Sequence, residues 1–447
     1  MLDRSVTRSL GMTRRSKFLL AIGAAVLGFV AVLPWLIPTS TWIAPVQDAA
    51  SKALGAKVVI GKLAVVILPL PHATATDIDV GDGALRVRTV RVYPQVMSLL
   101  SSTPHLRSVE VSDVALLPAG VDLLAAFAAR PSSPAVTIGR LRVKAVAVTL
   151  AAGALPPLDA DVELGAANAP IEALLATADG KAKVRAVPDG DGWTLDVQAA
   201  DWQLPMGPPL KFAELKARGR ADRGKVVFSD FSARLYGGQV TGSAELDYAK
   251  GFKVAGKAAV SQLDIAPLLQ VLGVKAALTG RVDASGPFHA RAATSAGLAD
   301  AFHADVAFKV HDGVLHGFDL ASAAKNLLRS GASGGQTRFD ALTGNAQVAG
   351  KAVRLRNVKV GSGVLDAKGN VDVSAARQLS GRVEVEIKGT GGLVGVPLAV
   401  SGTVASPILL PTRGALAGAA IGTLLLPGVG TSVGSSIGDK LGKMFGK

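Results

Sequence analysis

The chain has 447 residues and a formal net charge of +14, yet only 18% of its residues are charged, 49% are hydrophobic and 51 are glycine. That balance is more apolar than the roughly 45–50% of an ordinary soluble domain, so it requires a very large core or a second apolar surface that no core uses. The lack of cysteine excludes disulfides, thiolate catalysis and sulfur-ligated zinc, and three tyrosines and four tryptophans leave few rings for stacking nucleic-acid bases, so the basic charge reads as a solvated face that favours anionic membranes.

A leader at 1–17 carries Arg4, Arg8, Arg14, Arg15 and Lys17. The uncharged segment 18–37 follows, its bulk supplied by Phe18, Leu19, Leu20, Ile22, Val26, Leu27, Phe29, Val30, Val32, Leu33, Trp35, Leu36 and Ile37. About 20 residues just cross a bilayer core, whereas a cleaved signal has an apolar core of about 7–15 and then a small-x-small site. Trp35, Pro38 and Trp42 crowd the exit instead, and the basic residues flank only the N-terminal side. The segment therefore reads as an uncleaved transmembrane anchor with a cytoplasmic leader and an exported bulk; the alternative is a long cleaved signal.

The spacing of Val46, Ala49, Ala50, Ala53 and Leu54, with Gly55 as a stop, predicts a short amphipathic helix over 44–54. From Lys57 the period becomes two, the mark of half-buried strands. Leu85-Arg86-Val87-Arg88, Val371-Asp372-Val373 and Val383-Glu384-Val385-Glu386-Ile387 put aliphatics on one face and charges on the other. Leu141, Val143 and Ala145 hold one parity, then Val146, Val148 and Leu150 the other, a slip that predicts a bulge. Turn signals such as Gly81-Asp82-Gly83, Asp189-Gly190-Asp191-Gly192 and Tyr236-Gly237-Gly238 recur often enough to imply antiparallel meanders. Short helices are expected at Asp122–Ala129, Asp264–Leu272 and Asp319–Arg329, each with an aspartate available as N-cap. The expected fold is mostly β: a transmembrane helix, then an elongated, curved antiparallel sheet, divided into an N-terminal region at 44–118, a middle region at 119–224 and a C-terminal region at 225–411.

No constellation for catalysis emerges. Gly331-Ala332-Ser333-Gly334-Gly335 has the letters of a nucleophile elbow in a reversed helix-to-strand context, and Ser322-Ala323-Ala324-Lys325 lacks the downstream partners of serine–lysine enzymes. His303, His311 and His316 have no further ligand at metal spacing, and Asp77 and Asp79 read as a solvated strand face. No glycine-rich loop opens a helix after a strand, so neither a nucleotide, a metal nor any other cofactor is expected. The tail at 412–447 places Gly414, Gly418 and Gly422, then Gly430, Gly434 and Gly438, at four-residue spacing between Arg413 and Asp439. Such spacing allows close helix approach in lipid, but Pro427-Gly428 halves the stretch, so it reads as a contact with a membrane surface or an envelope or outer-membrane assembly partner in preference to a second span.

Several phrases in chain order resemble the AsmA family and the wider group of TamB- and chorein-type bridge proteins. Ala53-Leu54-Gly55-Ala56-Lys57-Val58-Val59-Ile60-Gly61 is similar to that family's helix and first strand, and Leu106-Arg107-Ser108-Val109-Glu110-Val111-Ser112-Asp113-Val114 to its strand-and-turn phrase. Towards the C-terminus, Leu235-Tyr236-Gly237-Gly238-Gln239-Val240-Thr241-Gly242, Asp312-Gly313-Val314-Leu315-His316-Gly317-Phe318-Asp319-Leu320, Thr337-Arg338-Phe339-Asp340-Ala341-Leu342 and Val396-Pro397-Leu398-Ala399-Val400-Ser401-Gly402-Thr403 also fit. The resemblance implies a bacterial inner-membrane protein whose periplasmic part is a curved β-groove with an apolar interior, tied to phospholipid passage between envelope membranes or to outer-membrane protein assembly. On this reading membrane phospholipids are the ligand, because acyl chains need only a continuous apolar lining. Val353, Leu355, Val371, Val373, Val383, Val385 and Ile387 are the expected lining, with a scaffold that binds unfolded outer-membrane strands as the alternative.

Overall fold

A computed structural model describes residues 40–67, 69–100, 104–120, 123, 136–150, 153–154, 156–205, 208–274, 278–325, 334–388 and 395–415. The expected anchor, most of Asp122–Ala129, Ser333 and residues 416–447 of the tail lie outside them. Among the described residues no helix is long and apolar enough to cross a membrane. The chain divides after Ala178 into two units.

The first unit begins with α1 (Ser40–Leu54), which opens four residues earlier than the spacing predicts. Its strands are β1 (Val58–Val66), β2 (His72–Val80), β3 (Leu85–Pro94), β4 (His105–Leu116), β5 (Thr137–Ile138), β6 (Arg140–Leu150), β7 (Gly153–Ala154), β8 (Leu158–Leu164) and β9 (Pro170–Thr177). Alternation explains its core: Val58, Ile60, Val80, Leu85, Val87, Val114 and Leu116 are buried together, and α1 packs Ile43, Ala50 and Leu54 against them. Of the expected stripe Ala50 and Leu54 pack on the sheet, whereas Val46, Ala49 and Ala53 face out and Ile43 joins the packed side instead. The pairing is antiparallel except at β4, which runs parallel to β6 with Val109 opposite Leu141 and Val111 opposite Val143. The antiparallel meanders expected from the turn signals give way there to a parallel pairing of β4 with β5 and β6, which a tight hairpin cannot make.

The phase slip in β6 is a bulge. The register against β8 shifts between Val143 and Val146, and Ala145 sits at φ 53°. A bulge leaves one N–H without a ladder partner, and here the Asp159 carboxylate on β8 accepts from Ala145 N at 2.8 Å. The same device recurs in the second unit, where Gln262 at φ 52° donates its N–H to Asp283 at 2.8 Å and Asn357 at φ 53° to Asn370 at 2.9 Å.

The second unit is a run of fourteen strands, each antiparallel to the next: β10 (Ala182–Asp189), β11 (Gly192–Gln203), β12 (Lys211–Asp222), β13 (Lys225–Leu235), β14 (Gly238–Asp247), β15 (Phe252–Asp264), β16 (Leu278–Ala292), β17 (His303–His316), β18 (Gln336–Ala349), β19 (Ala352–Gly361), β20 (Leu365–Val373), β21 (Leu379–Ile387), β22 (Val396–Thr403) and β23 (Ser406–Pro411). Two helices interrupt it at the same strand end. α2 (Ile265–Val271) follows β15, capped by Asp264 accepting from Ala266 N at 3.1 Å. α3 (Leu320–Lys325) follows β17, and Asp319 accepts from Ser322 N at 2.8 Å. Both aspartate caps stand where the sequence offers them. α3 buries Leu320, Ala323 and Ala324 in the unit's main cluster, and it lies against β18, β21, β22 and β23.

Candidate functional site

Residues directly opposite one another in an antiparallel ladder share a face, so the register defines the surfaces of the second unit. One row runs from Leu235 and Gly238 through Leu263, Val282, Val310, Leu342, Val360, Ala367, Val385 and Val396. Gly238 bridges the first step because a Cβ there would lie 2.4 Å from Leu263 Cα. The whole row is buried, at 1% for Val310 and 0% for Val385.

Away from the helices the same face stays apolar but is only half-buried. A second row passes from Val240 through Val260 and Ala284 to Phe308, and a third from Phe228 through Ala244, Gly256, Phe288, Ala304, Val348 and Val353 to Val373. Val240, Val260, Ala284 and Phe308 pack sideways against the main cluster, α2 and the 3-10 turn Ser295–Leu298 touch β16, and apart from buried Ala304 these rows keep part of their aliphatic and aromatic carbon accessible. Over β21–β23 the face closes again, with Leu398 at 0% and Leu409 at 2% exposure beside α3.

The phenylalanines of this face lie across glycines of neighbouring strands. A Cβ on Gly256 would come 2.6 Å from the Phe288 ring, on Gly313 2.3 Å from Phe339, on Gly219 2.9 Å from Phe228, on Gly242 3.0 Å from Phe231 and on Gly344 3.1 Å from Phe308. Each ring occupies the space its glycine leaves empty, which levels the surface and keeps the row continuous.

The opposite face carries charge. Arg218 reaches Asp196 at 3.8 Å, Arg356 meets Asp372 at 2.6 Å, Lys388 meets Asp366 at 3.0 Å, and Glu214 lies between Lys216 and Arg234. A cleft of about 340 Å³ on this side is lined by Thr343, Lys359, Asp366, Lys368, Glu384 and Glu386. Lys368 and Glu384 face each other there at 3.6 Å, and Asp366 is taken by Lys388 at 3.0 Å. Asp283, like Asp201 beside Lys181 and Glu214 beside Lys216, is held below the ordinary carboxylate range. The Asp283 carboxyl is held there by the Gln262 N–H, with His311 Nε2 at 2.8 Å behind it, but its partners serve the bulge.

All seven expected lining residues stand on the apolar face. Val353 faces Val373, Leu355 faces Val371, Val383 faces Gly369, Val385 faces Ala367 and Ile387 faces Leu365. Val385 belongs to the buried row, while the other six are half-buried. Sequence reasoning missed the larger half-buried stretch over β12–β18, whose signal is the alternation of phenylalanine with glycine on strands far apart in sequence.

The remaining polar candidates do not converge. His303 stacks on His289 at 5.1 Å, His311 pairs with Asp283, and His316 ends β17. Among the described residues no three metal-ligating side chains come together. Asp79 accepts from Gly83 N at 2.7 Å within a turn, and Asp77 sits at φ 56°.

The second unit is thus an antiparallel sheet with one apolar face, fully buried beside α3 and half-buried towards the hairpin end, and one largely polar face. Residues 191–356, from the start of β11 into β19, match the model of the AsmA family, so the chain carries an AsmA-family domain over the half-buried stretch. That family is one of the cell envelope and is in general not enzymatic. No curated protein and no solved structure matches the chain.

Proposed function

We propose that the apolar face of the second unit cradles phospholipid acyl chains, and that the protein supports lipid transfer and outer-membrane lipid homeostasis from an anchor in the bacterial inner membrane. The observation that carries this reading is the half-buried apolar face over β13–β20, backed by a polar face that carries the charges. Water-exposed aliphatic rows are costly unless an apolar ligand covers them, at about 25 cal/mol per Å². An acyl chain has no polar group to satisfy and gains from any continuous lining, which also explains why such a face needs no catalytic side chain. The segment 18–37 would hold the chain at the membrane with its bulk in the periplasm, and the exposed Trp42 and Val46 of α1 suit a helix at that surface. No enzymatic role is part of this reading.

The scaffold alternative, binding of unfolded outer-membrane strands, makes a different prediction for what copurifies. Mass spectrometry of material bound to the full chain should find diacyl phospholipid at a fixed ratio to protein. Recovery of strand peptides with no lipid would overturn the transfer reading.

A further inference from the structure

The two strand ends of the second unit differ in chemistry. α2 and α3 occupy one end. The other end is built from the hairpins β12–β13, β14–β15, β16–β17 and β18–β19, and it concentrates basic and aromatic side chains. Lys253 and Arg291 are directly opposite in register and both exposed. Like charges in that position destabilise a sheet unless an anion lies over them. His289 and His303, opposite each other on the next strand pair, stack with rings 7° apart. Arg223 and Lys250 stand on the adjoining turns.

The acids nearby are mostly engaged. Asp222 takes Arg220 at 3.1 Å, Glu245 takes Lys225 at 2.8 Å and Asp300 takes Lys351 at 3.1 Å. Asp247 alone stands opposite Lys253. Among the described residues no ion pair engages Arg223, Lys250, Lys253 or Arg291. Two aromatic side chains share this end, Tyr248 at 44% and Phe302 at 37% exposure. Phe302 stacks on Phe288 at 6.1 Å, and Phe288 lies over Gly256, so an apolar path leads from the lip onto the apolar face.

We infer that this hairpin end docks on an anionic bilayer surface and is where lipid passes between that bilayer and the sheet. The inference rests on the acyl-chain reading and adds which end meets the membrane and with what charge. Charge complementarity selects the occupant: at this edge Lys253 and Arg291 on the polar face can take the phosphates of a leaflet, while Phe302 and the apolar face that begins at Phe288, on the other side of the same strands, suit its interface and tails. A protein partner of acidic character would use the cations and leave the aromatic path without a role.

The chain has no cysteine, so a single introduced thiol reports on one place. Full-length protein held in amphipol would carry an environment-sensitive fluorophore at Ala249→Cys on the β14–β15 turn, or at Gly363→Cys on the β19–β20 turn at the helix end. Gly363 has open space around it and tolerates a side chain. Vesicles of phosphatidylcholine with phosphatidylglycerol should shift the Ala249 probe to the blue and leave the Gly363 probe unchanged, and vesicles of phosphatidylcholine alone should do neither. With Lys253→Gln and Arg291→Gln together, partitioning onto the anionic vesicles should fall roughly tenfold or more, and added salt should do the same. A response at both probes alike, at neither, or one unaffected by the double substitution overturns the docking. Lipid copurifying with each variant is measured in parallel: lipid retained without a probe response sinks the docking alone, and a probe response without bound lipid sinks the acyl-chain reading alone.

Discussion

Replacing one apolar residue by aspartate should give opposite outcomes at two positions of the same face. Val385 is fully buried in the main cluster, with Ala367 and Val396 beside it in register. Losing the valine forfeits about 1.5–3 kcal/mol of burial, and an unpaired carboxyl in its place adds desolvation of about 1–3 kcal/mol even when it takes up a proton. The sum, about 2.5–6 kcal/mol, is a large part of the ~5–15 kcal/mol by which domains are stable, so Val385→Asp should leave little folded protein. Leu355, opposite Val371 in the half-buried rows, can turn a carboxylate towards water. Only about half of its burial is at stake, about 1 kcal/mol, which lowers Tm by about 2–4 °C in a unit of this size. Leu355→Asp should therefore fold and yet lose bound lipid, because a charge on the floor must be desolvated by every acyl chain laid over it. Thermal denaturation together with retention of a fluorescent acyl lipid tests both. Wild-type lipid retention in well-folded Leu355→Asp would refute the lining, and a stable Val385→Asp would refute the packing argument.

Gly256→Ala places a Cβ 2.3 Å from the Ser243 carbonyl and 2.6 Å from Phe288, and since the carbonyl cannot swing aside, a loss of about 1–3 kcal/mol is expected in denaturant titration. The depressed carboxyl of Asp283 contributes stability above the ordinary carboxylate value of about 3.9 and loses it as pH falls through the lower folded value. Asp283→Asn keeps an acceptor for Gln262, as Asn370 does for Asn357, so the Tm gap between wild type and variant should narrow from pH 7 to pH 3; a constant gap would contradict the linkage. At Ala145 the left-handed backbone costs a non-glycine residue about 1–2 kcal/mol, against about 0.5–1 kcal/mol of glycine chain entropy, so Ala145→Gly should stabilise the first unit slightly, as read by its melting midpoint.

Much of this architecture is legible locally. The run Val383 to Ile387 announces which side chains share a face, because a strand's period of two is a property of the backbone. The parity slip at Ala145 marks a bulge for the same reason, and Asp264 and Asp319 mark helix starts because an N-terminal turn needs an acceptor wherever it lies. The stripe of α1 was legible only in part: Ala50 and Leu54 pack as their spacing predicts, but Val46, Ala49 and Ala53 fit the same spacing and face out while Ile43 packs. Only the position of the first sheet decides between them.

The sequence by itself determined that this is a cysteine-free, aliphatic and glycine-rich chain of alternating strands with more apolar surface than a core consumes, because composition and period are summed residue by residue. The tertiary structure alone decided where that surplus is buried and where it is left open. Register, which depends on turns and bulges far from any one residue, lays Phe288 over Gly256 and Phe308 beside Gly344, sends Val385 into the packed row, and keeps Leu355 and Val353 within reach of water. It also brings Lys253 and Arg291 face to face across strands 38 residues apart in sequence.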